Sequence, residues 1–269
     1  MNDGWTHATS TDGILITELD DEDILELELK LEEFYKNTTD YTVYEKMTWR
    51  PNYWAEVLRQ LEKTGAKPGR ILEIGAAKSG FGEYLKCRGK EHEIAFQDIT
   101  NRCRDHLSSY SNELYFCPVE ELHCEKFDIV FHSYVFEHIS RPRAFLNAVE
   151  NLLTEGGRHI IESPRYDLFI YIPPSLRHLR TREKIAYILE GVMGNRPPFS
   201  IVKSPGILCR PYRRDLDAVH IVTLENMKAY ARKKDLCLEE IQLSKKSDIR
   251  SFVKEKISMQ IVMYKRQVG

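Results

Sequence analysis

Long apolar runs are missing from this sequence. No stretch of the 269 residues approaches the roughly 18 apolar residues of a membrane span. The N-terminus has no basic region followed by an apolar run, so it reads as no signal peptide. Cysteine is sparse and scattered, at positions 87, 103, 117, 124, 209 and 237. None forms a CxxC pair, and no His/Cys cluster has zinc-finger spacing. A chain of this size does not need disulfides, so the thiols read as reduced and the protein as cytoplasmic. Internal repeats and low-complexity tracts are absent. A strong net charge is absent too: the formal value is −2, which argues neither for nor against a polyanionic partner.

That near-neutral total hides two opposed segments. Residues 1–40 hold twelve Asp/Glu and two Lys/Arg, whereas residues 165–214 hold ten Lys/Arg and three Asp/Glu. The charge pattern and the texture of the chain divide it into three parts. Residues 1–66 read as an acidic, helical N-terminal cap. Residues 67–164 and 220–269 read as a core. Residues 165–219, rich in proline, arginine and scattered aromatics, read as an insertion serving as a substrate lid.

In the cap, Glu, Leu and Lys content favours a helix at "ILELELKL" (24–31) over a strand. "PNYWAEVLRQLEKTG" (51–65) has Pro51 in its first turn, Trp54, Val57, Leu58 and Leu61 on one face, and Gly65 as a stop. In the core, short apolar strands alternate with helices. "RILEIG" precedes the helix "GFGEYLKCRG", and "HEIAFQD" precedes a short helix. "ELYFCPVEEL" and "KFDIVFHSYVFEHI" begin as strands. The helix 141–157 leads to the strand "RHIIESP" (158–164). Such alternation predicts an α/β domain on a parallel sheet, with ligands bound where the strand-end loops gather. A helix is predicted at 182–194 within the insertion and another at 223–235. Strands near 237–244 and 256–266 have nothing helical between them, so they are expected to pair antiparallel.

The stretch "RILEIGAAKSGFGEYLK" (70–86) carries the chemistry. A strand ends on Glu73 and passes Gly75 and small residues into a helix, whose N-terminus offers unpaired N–H groups to a nucleotide-like ligand. The dinucleotide pattern G-x-G-x-x-G is incomplete, because Ala77 stands where a second glycine would fall. Asp98, at the end of the second strand, is placed to accept both ribose hydroxyls. Glu137 and His138 follow the fourth strand.

Together, "ILEIGAAKSGFGEYL", "AFQD", "FDIVFHSYVFEHISRP" and "LLTEGGRHIIESP" resemble the class I S-adenosylmethionine-dependent methyltransferases, in particular the subgroup of ubiquinone-biosynthesis, sugar and natural-product enzymes. The resemblance covers residues 66–164 and, more loosely, 220–266. It implies a Rossmann-like seven-stranded sheet with an antiparallel last strand. It places Glu73 and Gly75 under the methionine part of S-adenosylmethionine, with Ala77 in the same cofactor-binding loop in place of a usual glycine, Asp98 on the ribose, Val119 and Glu120 beside the adenine, and His132 and Ser133 at the sulfonium. Pro118 departs from the acidic residue usual there. The product would be S-adenosylhomocysteine.

The acceptor side is read from the outer segments. Trp49, Tyr53 and Trp54 are placed to cap the pocket. Arg165, Arg210, Arg213 and Arg214 suit a carboxylate or phosphate, although such arginines also suit a solvated face or a match for the acidic N-terminus. The expected reaction is O-methylation of a hydroxylated small molecule or saccharide, with no nucleic acid and no membrane span involved. An alcohol must lose a proton, and His138 or His220 could take it near neutral pH. Glu137 and His138 alone make a poor metal site, so no metal is expected. A nicotinamide-dependent oxidoreductase and a non-catalytic cofactor-binding protein are the alternatives.

Overall fold

The computed structural model describes residues 14–17, 22–37, 46–89, 91–167, 171–194, 196–206, 216–241 and 258–265. In chain order the elements are β1 (Leu15–Ile16), α1 (Glu22–Asn37), α2 (Pro51–Thr64), β2 (Arg70–Ile74), α3 (Phe81–Cys87), β3 (Glu93–Gln97), α4 (Arg104–Leu107), β4 (Glu113–Tyr115), β5 (Phe127–Ser133), α5 (Pro142–Leu152), β6 (Leu153–Pro164), α6 (Thr181–Met193), β7 (Ile201–Val202), α7 (Leu224–Lys233), β8 (Leu236–Glu240) and β9 (Ser258–Lys265). Seven of the strands form one sheet in the order β4-β3-β2-β5-β6-β9-β8. β9 runs antiparallel to both neighbours, while the pairs from β4 through β6 are parallel.

The central strands are apolar on both sides because helices cover both faces. Ile71, Ile129, Phe131, Ile160 and Val262 face α2, which presents Tyr53, Trp54, Val57, Leu58 and Leu61. Pro51 starts α2, and Gly65 ends it in the left-handed conformation at φ 79°. Leu72, Ile74, Val130, Ile161 and Ile261 face the other way, toward Phe145, Leu146 and Val149 of α5 and Met227 and Tyr230 of α7. Each large apolar side chain buried in these layers contributes about 1.5–3 kcal/mol. The N-terminal region is therefore divided: α2 belongs to the core layer, and α1 sits elsewhere.

α5 ends at Leu152, five residues before the Gly157 stop expected from the sequence, and β6 begins at once. Leu153 already pairs with Phe127 of β5, and the register shifts before Ile129 meets Arg158. Asp128 stabilises this irregular start, accepting from Thr154 Oγ1 at 3.0 Å and from Arg70 N at 2.9 Å. Residues 153–157, with Thr154, Gly156 and Gly157, have little helix propensity to oppose that pairing.

The insertion is packed, not detached. Tyr166, Leu176, Tyr187 and Phe199 lie in the same apolar cluster as α5 and α7. Arg196 donates to the carbonyls of Tyr166 (3.0 Å) and Tyr187 (2.6 Å) and stacks 3.7 Å over the Tyr187 ring. β7 pairs antiparallel with β1, and Lys203 Nζ lies 2.6 Å from Asp23 Oδ2. Part of the basic insertion thus meets part of the acidic N-terminus.

The ends of β2 and β5 approach closely at Gly75. Its φ is 63°, and a Cβ there would lie 2.3 Å from Val135 Cγ2. Gly75→Ala is expected to lower stability by about 2 kcal/mol or more, through the clash and the left-handed backbone together. A denaturant midpoint equal to that of the unsubstituted chain would show that the two strand ends are not held together.

Candidate active site

A cavity of about 470 Å³ opens where the carboxyl ends of β2, β3, β4 and β5 converge. Ile74 and Gly75 form its floor. Gln97, Asp98 and Ile99 form one wall, continued by Pro118, Val119 and Glu120. Tyr134, Val135 and residues 138–141 form the opposite wall, and Glu28, Leu31, Glu32 and Tyr35 of α1 roof it. A strand-end crevice of this kind follows from right-handed crossovers, which put all the loops after parallel strands on one edge.

Two polar side chains at the end of β3 tie this wall to the neighbouring loops. Asp98 Oδ2 accepts from Ala77 N at 2.8 Å, and its Oδ1 accepts from Thr100 N at 2.9 Å. Ala77 sits at φ 45°, so this bond holds a residue with a side chain in a conformation that favours glycine. Gln97 Oε1 accepts from Gly75 N at 3.2 Å, and its Nε2 donates to Cys117 O at 2.6 Å. Gln97 thereby joins the loops after β2 and β4. The sequence reading missed it, because a glutamine inside a strand carries no motif signal.

Glu73 is buried at the end of β2. Its Oε1 accepts from Ser79 Oγ at 3.0 Å, while Oε2 is buried with no hydrogen-bond partner. Burial raises its pKa to about 8, partly opposed by the Ser79 bond and the charge of Arg50. The segment before α2 is stitched to this loop: Thr48 N donates to Lys78 O and Gly80 N to Thr48 O, each at 3.0 Å. Arg50 Nη2 lies 2.6 Å from Glu162 Oε1, and its guanidinium stacks over Tyr53 and Tyr134. Glu162 also accepts from Ser133 Oγ and Gln260 Nε2. Arg50, between Trp49 and Pro51, carries no motif signal in the sequence, because its partner Glu162 is remote in the chain.

The opposite wall is a charged cluster. Arg141 pairs with Glu28 at 2.7 Å, and Ser140 Oγ donates to the same carboxylate oxygen at 2.7 Å. His138 Nδ1 lies 3.3 Å from Oδ2 of Asp217, a buried residue that also accepts from Tyr35 O–H at 2.9 Å. Burial opposes the charged imidazole, but Asp217, with help from Glu137, outweighs it and raises the His138 pKa to about 10. Asp217 follows the charged run Arg213-Arg214-Asp215 after one leucine, and no sequence pattern sets it apart from that run.

The remaining sequence candidates fall in varied places. His220 is buried away from the cavity lining, with Nδ1 3.1 Å from Phe136 O, and its backbone N–H donates to Glu137 O. Burial lowers its pKa to about 3. It supports the turn that carries His138. The His132 side chain packs in the core against Phe136, Phe145 and His159, and only its carbonyl reaches outward, to Tyr53 O–H at 2.7 Å. Ser133 is spent on Glu162. Glu137 is buried and accepts from Ser163 Oγ, so it and His138 face different surroundings. Arg165 grips Asp167 through two bonds. Arg210, Arg213 and Arg214 lie outside the described residues. Trp54 is buried in the α2 layer, and Trp49 meets it edge-on beside Gly80 and is absent from the cavity lining. Among the described residues no group of three or more His, Cys, Asp or Glu could hold a metal ion.

The cavity suits S-adenosylmethionine. Asp98 Oδ1 is taken by Thr100 N and Thr100 Oγ1, whereas Oδ2 accepts only from Ala77 N and keeps accepting capacity for a ribose hydroxyl. Ile99 and Val119 offer apolar surface for a base; Glu73, whose Oε2 has no hydrogen-bond partner, lies on β2 just before Ile74 and Gly75 of the lining but does not itself line the cavity. Glu73 also carries a stability signature. A carboxyl whose folded pKa is raised binds more protons folded than unfolded, so stability falls as pH rises from about 4.5 to about 8. Glu73→Gln should remove this loss. Its Tm should exceed that of the unsubstituted chain by several degrees more at pH 9 than at pH 5; an equal difference at both would place the proton elsewhere.

A family model described as a methyltransferase domain matches residues 47–197, more than half of the chain. Among curated proteins, none matches in sequence. Among solved structures, the plantazolicin methyltransferase BpumL in complex with SAH is similar at TM-score 0.54 and 14% identity, covering 91% of this chain and 98% of its own. An S-adenosylmethionine-dependent methyltransferase from Clostridium acetobutylicum is similar at TM-score 0.50 and 13% identity, covering 90% and 99%. At such identities these structures speak for the fold. The family match, on the sheet order and strand-end cavity described above, makes the assignment: the chain belongs to the methyltransferase domain family and is a class I S-adenosylmethionine-dependent methyltransferase.

Proposed function

We propose that the enzyme O-methylates a hydroxylated small molecule or saccharide, with His138 taking the acceptor's proton. The observation that carries this reading is the His138–Asp217 pair on the cavity wall, opposite Asp98. When bound, S-adenosylmethionine supplies an electrophilic methyl group. Asp98, Gly75, Ala77, Val119 and Glu120 would hold the cofactor. The chain's own contribution is then alignment of the acceptor oxygen and removal of its proton.

Asp217 faces Nδ1 of the imidazole at 3.3 Å, an ion-pair distance without hydrogen-bond geometry, and Nε2 is the ring nitrogen that would meet a hydroxyl. A buried carboxylate beside a histidine stabilises the imidazolium that forms when the proton is taken. In the resting protein the same effect keeps His138 protonated up to about pH 10. The base is therefore strong but mostly occupied at neutral pH. His220 serves as a positioning residue beneath the turn.

The test is a pH profile. With saturating cofactor and a hydroxylated acceptor found by screening, kcat should rise with pH throughout the range from neutral to about 10. Asp217→Asn removes the charge that favours the imidazolium, so the inflection should move toward the ordinary histidine value near 6.5 and the plateau should fall. His138→Ala should lose about 10²–10⁴ in kcat while keeping cofactor affinity. An Asp217→Asn profile that coincides with that of the unsubstituted enzyme would exclude His138 as the base.

A further inference from the structure

α6 carries an aliphatic stripe that the fold leaves open. Ile185, Leu189, Val192 and Met193 are 52%, 51%, 62% and 58% exposed. Their spacing puts them on one helical face, with Arg182 one turn before Ile185 on the same side. The opposite face is anchored by buried Tyr187 and Glu190. Isolated exposed apolar residues are ordinary, but four on one face of one helix mark a contact surface.

The charges around the stripe say what would contact it. Arg177, Arg180 and Arg182 are exposed at or just before the start of α6, and Lys184 lies in its first turn. A helix N-terminus is already the positive end of the backbone dipole and ordinarily attracts acidic residues. Here Glu183 is the acidic residue of that turn, and its carboxylate accepts from Arg180 N at 2.8 Å. Lys184 Nζ donates to the Arg177 carbonyl, so it too stays within the turn. The arrangement gathers positive charge at one end of an aliphatic stripe.

We propose that α6 docks the enzyme on the surface of an anionic lipid bilayer. The aliphatic side chains enter the boundary between headgroups and acyl chains, and the arginines meet the anionic headgroups. Helices with an apolar face and clustered Lys/Arg bind membranes in this in-plane manner without spanning them. No helix among the described residues is long and apolar enough to cross a membrane. The docking is independent of which acceptor the enzyme methylates. α6 is absent from the cavity lining, so the enzyme's catalytic residues stay clear of the bilayer contact.

Co-sedimentation of the full chain with vesicles tests this. One set contains equal parts phosphatidylglycerol and phosphatidylcholine, the other phosphatidylcholine alone. The chain should pellet with the anionic vesicles, several-fold less with the neutral ones, and progressively less as salt rises. Leu189→Asp with Val192→Asp alters only exposed positions and should cut binding about tenfold with the circular dichroism spectrum unchanged. Arg180→Glu with Arg182→Glu should abolish the preference for anionic vesicles. The proposal fails if the unsubstituted chain shows no such preference, or if both variants bind as it does. It fails equally if the stripe variants convert an oligomer to a monomer in sedimentation velocity while vesicle binding is absent, since a second copy would then cover the stripe.

Discussion

The bond from Ala77 N to the Asp98 carboxylate is the constraint on which the site depends. It spans two parallel strands at their carboxyl ends and holds a left-handed alanine between them. Without it, the loop after β2 would have no reason to adopt a conformation that a Cβ disfavours. With it, the loop after β2 is tied to the end of β3, beside Gly75 where the chain meets Val135. The same carboxylate that organises the protein also presents lone pairs to a ligand. Burial raises the Asp98 pKa, while the donors from Thr100 and Ala77 oppose the shift.

The rest of the site is assembled from distant parts of the chain around the cavity. α1 supplies the roof and is tied down at Glu28 to Ser140 and Arg141, at Tyr35 to Asp217, and at Asp23 to Lys203. Arg102 adds a bond to the carbonyl of Tyr35. These ties join the N-terminal helix to the loop after β5 and to the insertion. They give the opposed charge of the two segments a partial structural meaning. Exposed pairs contribute little individually, but Tyr35 and His138 share a buried carboxylate, and that junction carries more of the energy.

The core was legible because its signals are local. Alternating strands and helices, Pro51 and Gly65 around α2, and Asp98 at a strand end are all read from residues within one element. The antiparallel last strand followed from the lack of a helix before it. What escaped the sequence reading depends on contacts between elements remote in sequence. Asp217 reaches His138 across 79 positions, and Gln97 bridges two loops that only the sheet order brings together. Arg50 meets Glu162 because α2 packs over the end of β6. The expected roles of His132 and of the tryptophans ran the other way: their types suggested ligand contact, and their burial or stacking serves the layers. The insertion's substrate role could not be read, since arginine content does not say whether a guanidinium meets Asp167 or a ligand.

His132 and His220 lie in the core as neutral rings, each with a pKa lowered by burial to about 3, and burial likewise lowers His159, which packs on His132. A histidine whose folded pKa is depressed contributes no penalty above its ordinary value near 6.5, but in acid the unfolded chain gains protons that the folded core refuses. Stability therefore drains away as pH falls from about 6.5. Glu73 acts in the reverse sense between about pH 4.5 and 8, and His138, whose pKa is raised to about 10, does so from about 6.5 upward. The fold is bounded from both directions, and its acid lability is the counterpart of filling an apolar interior with imidazole.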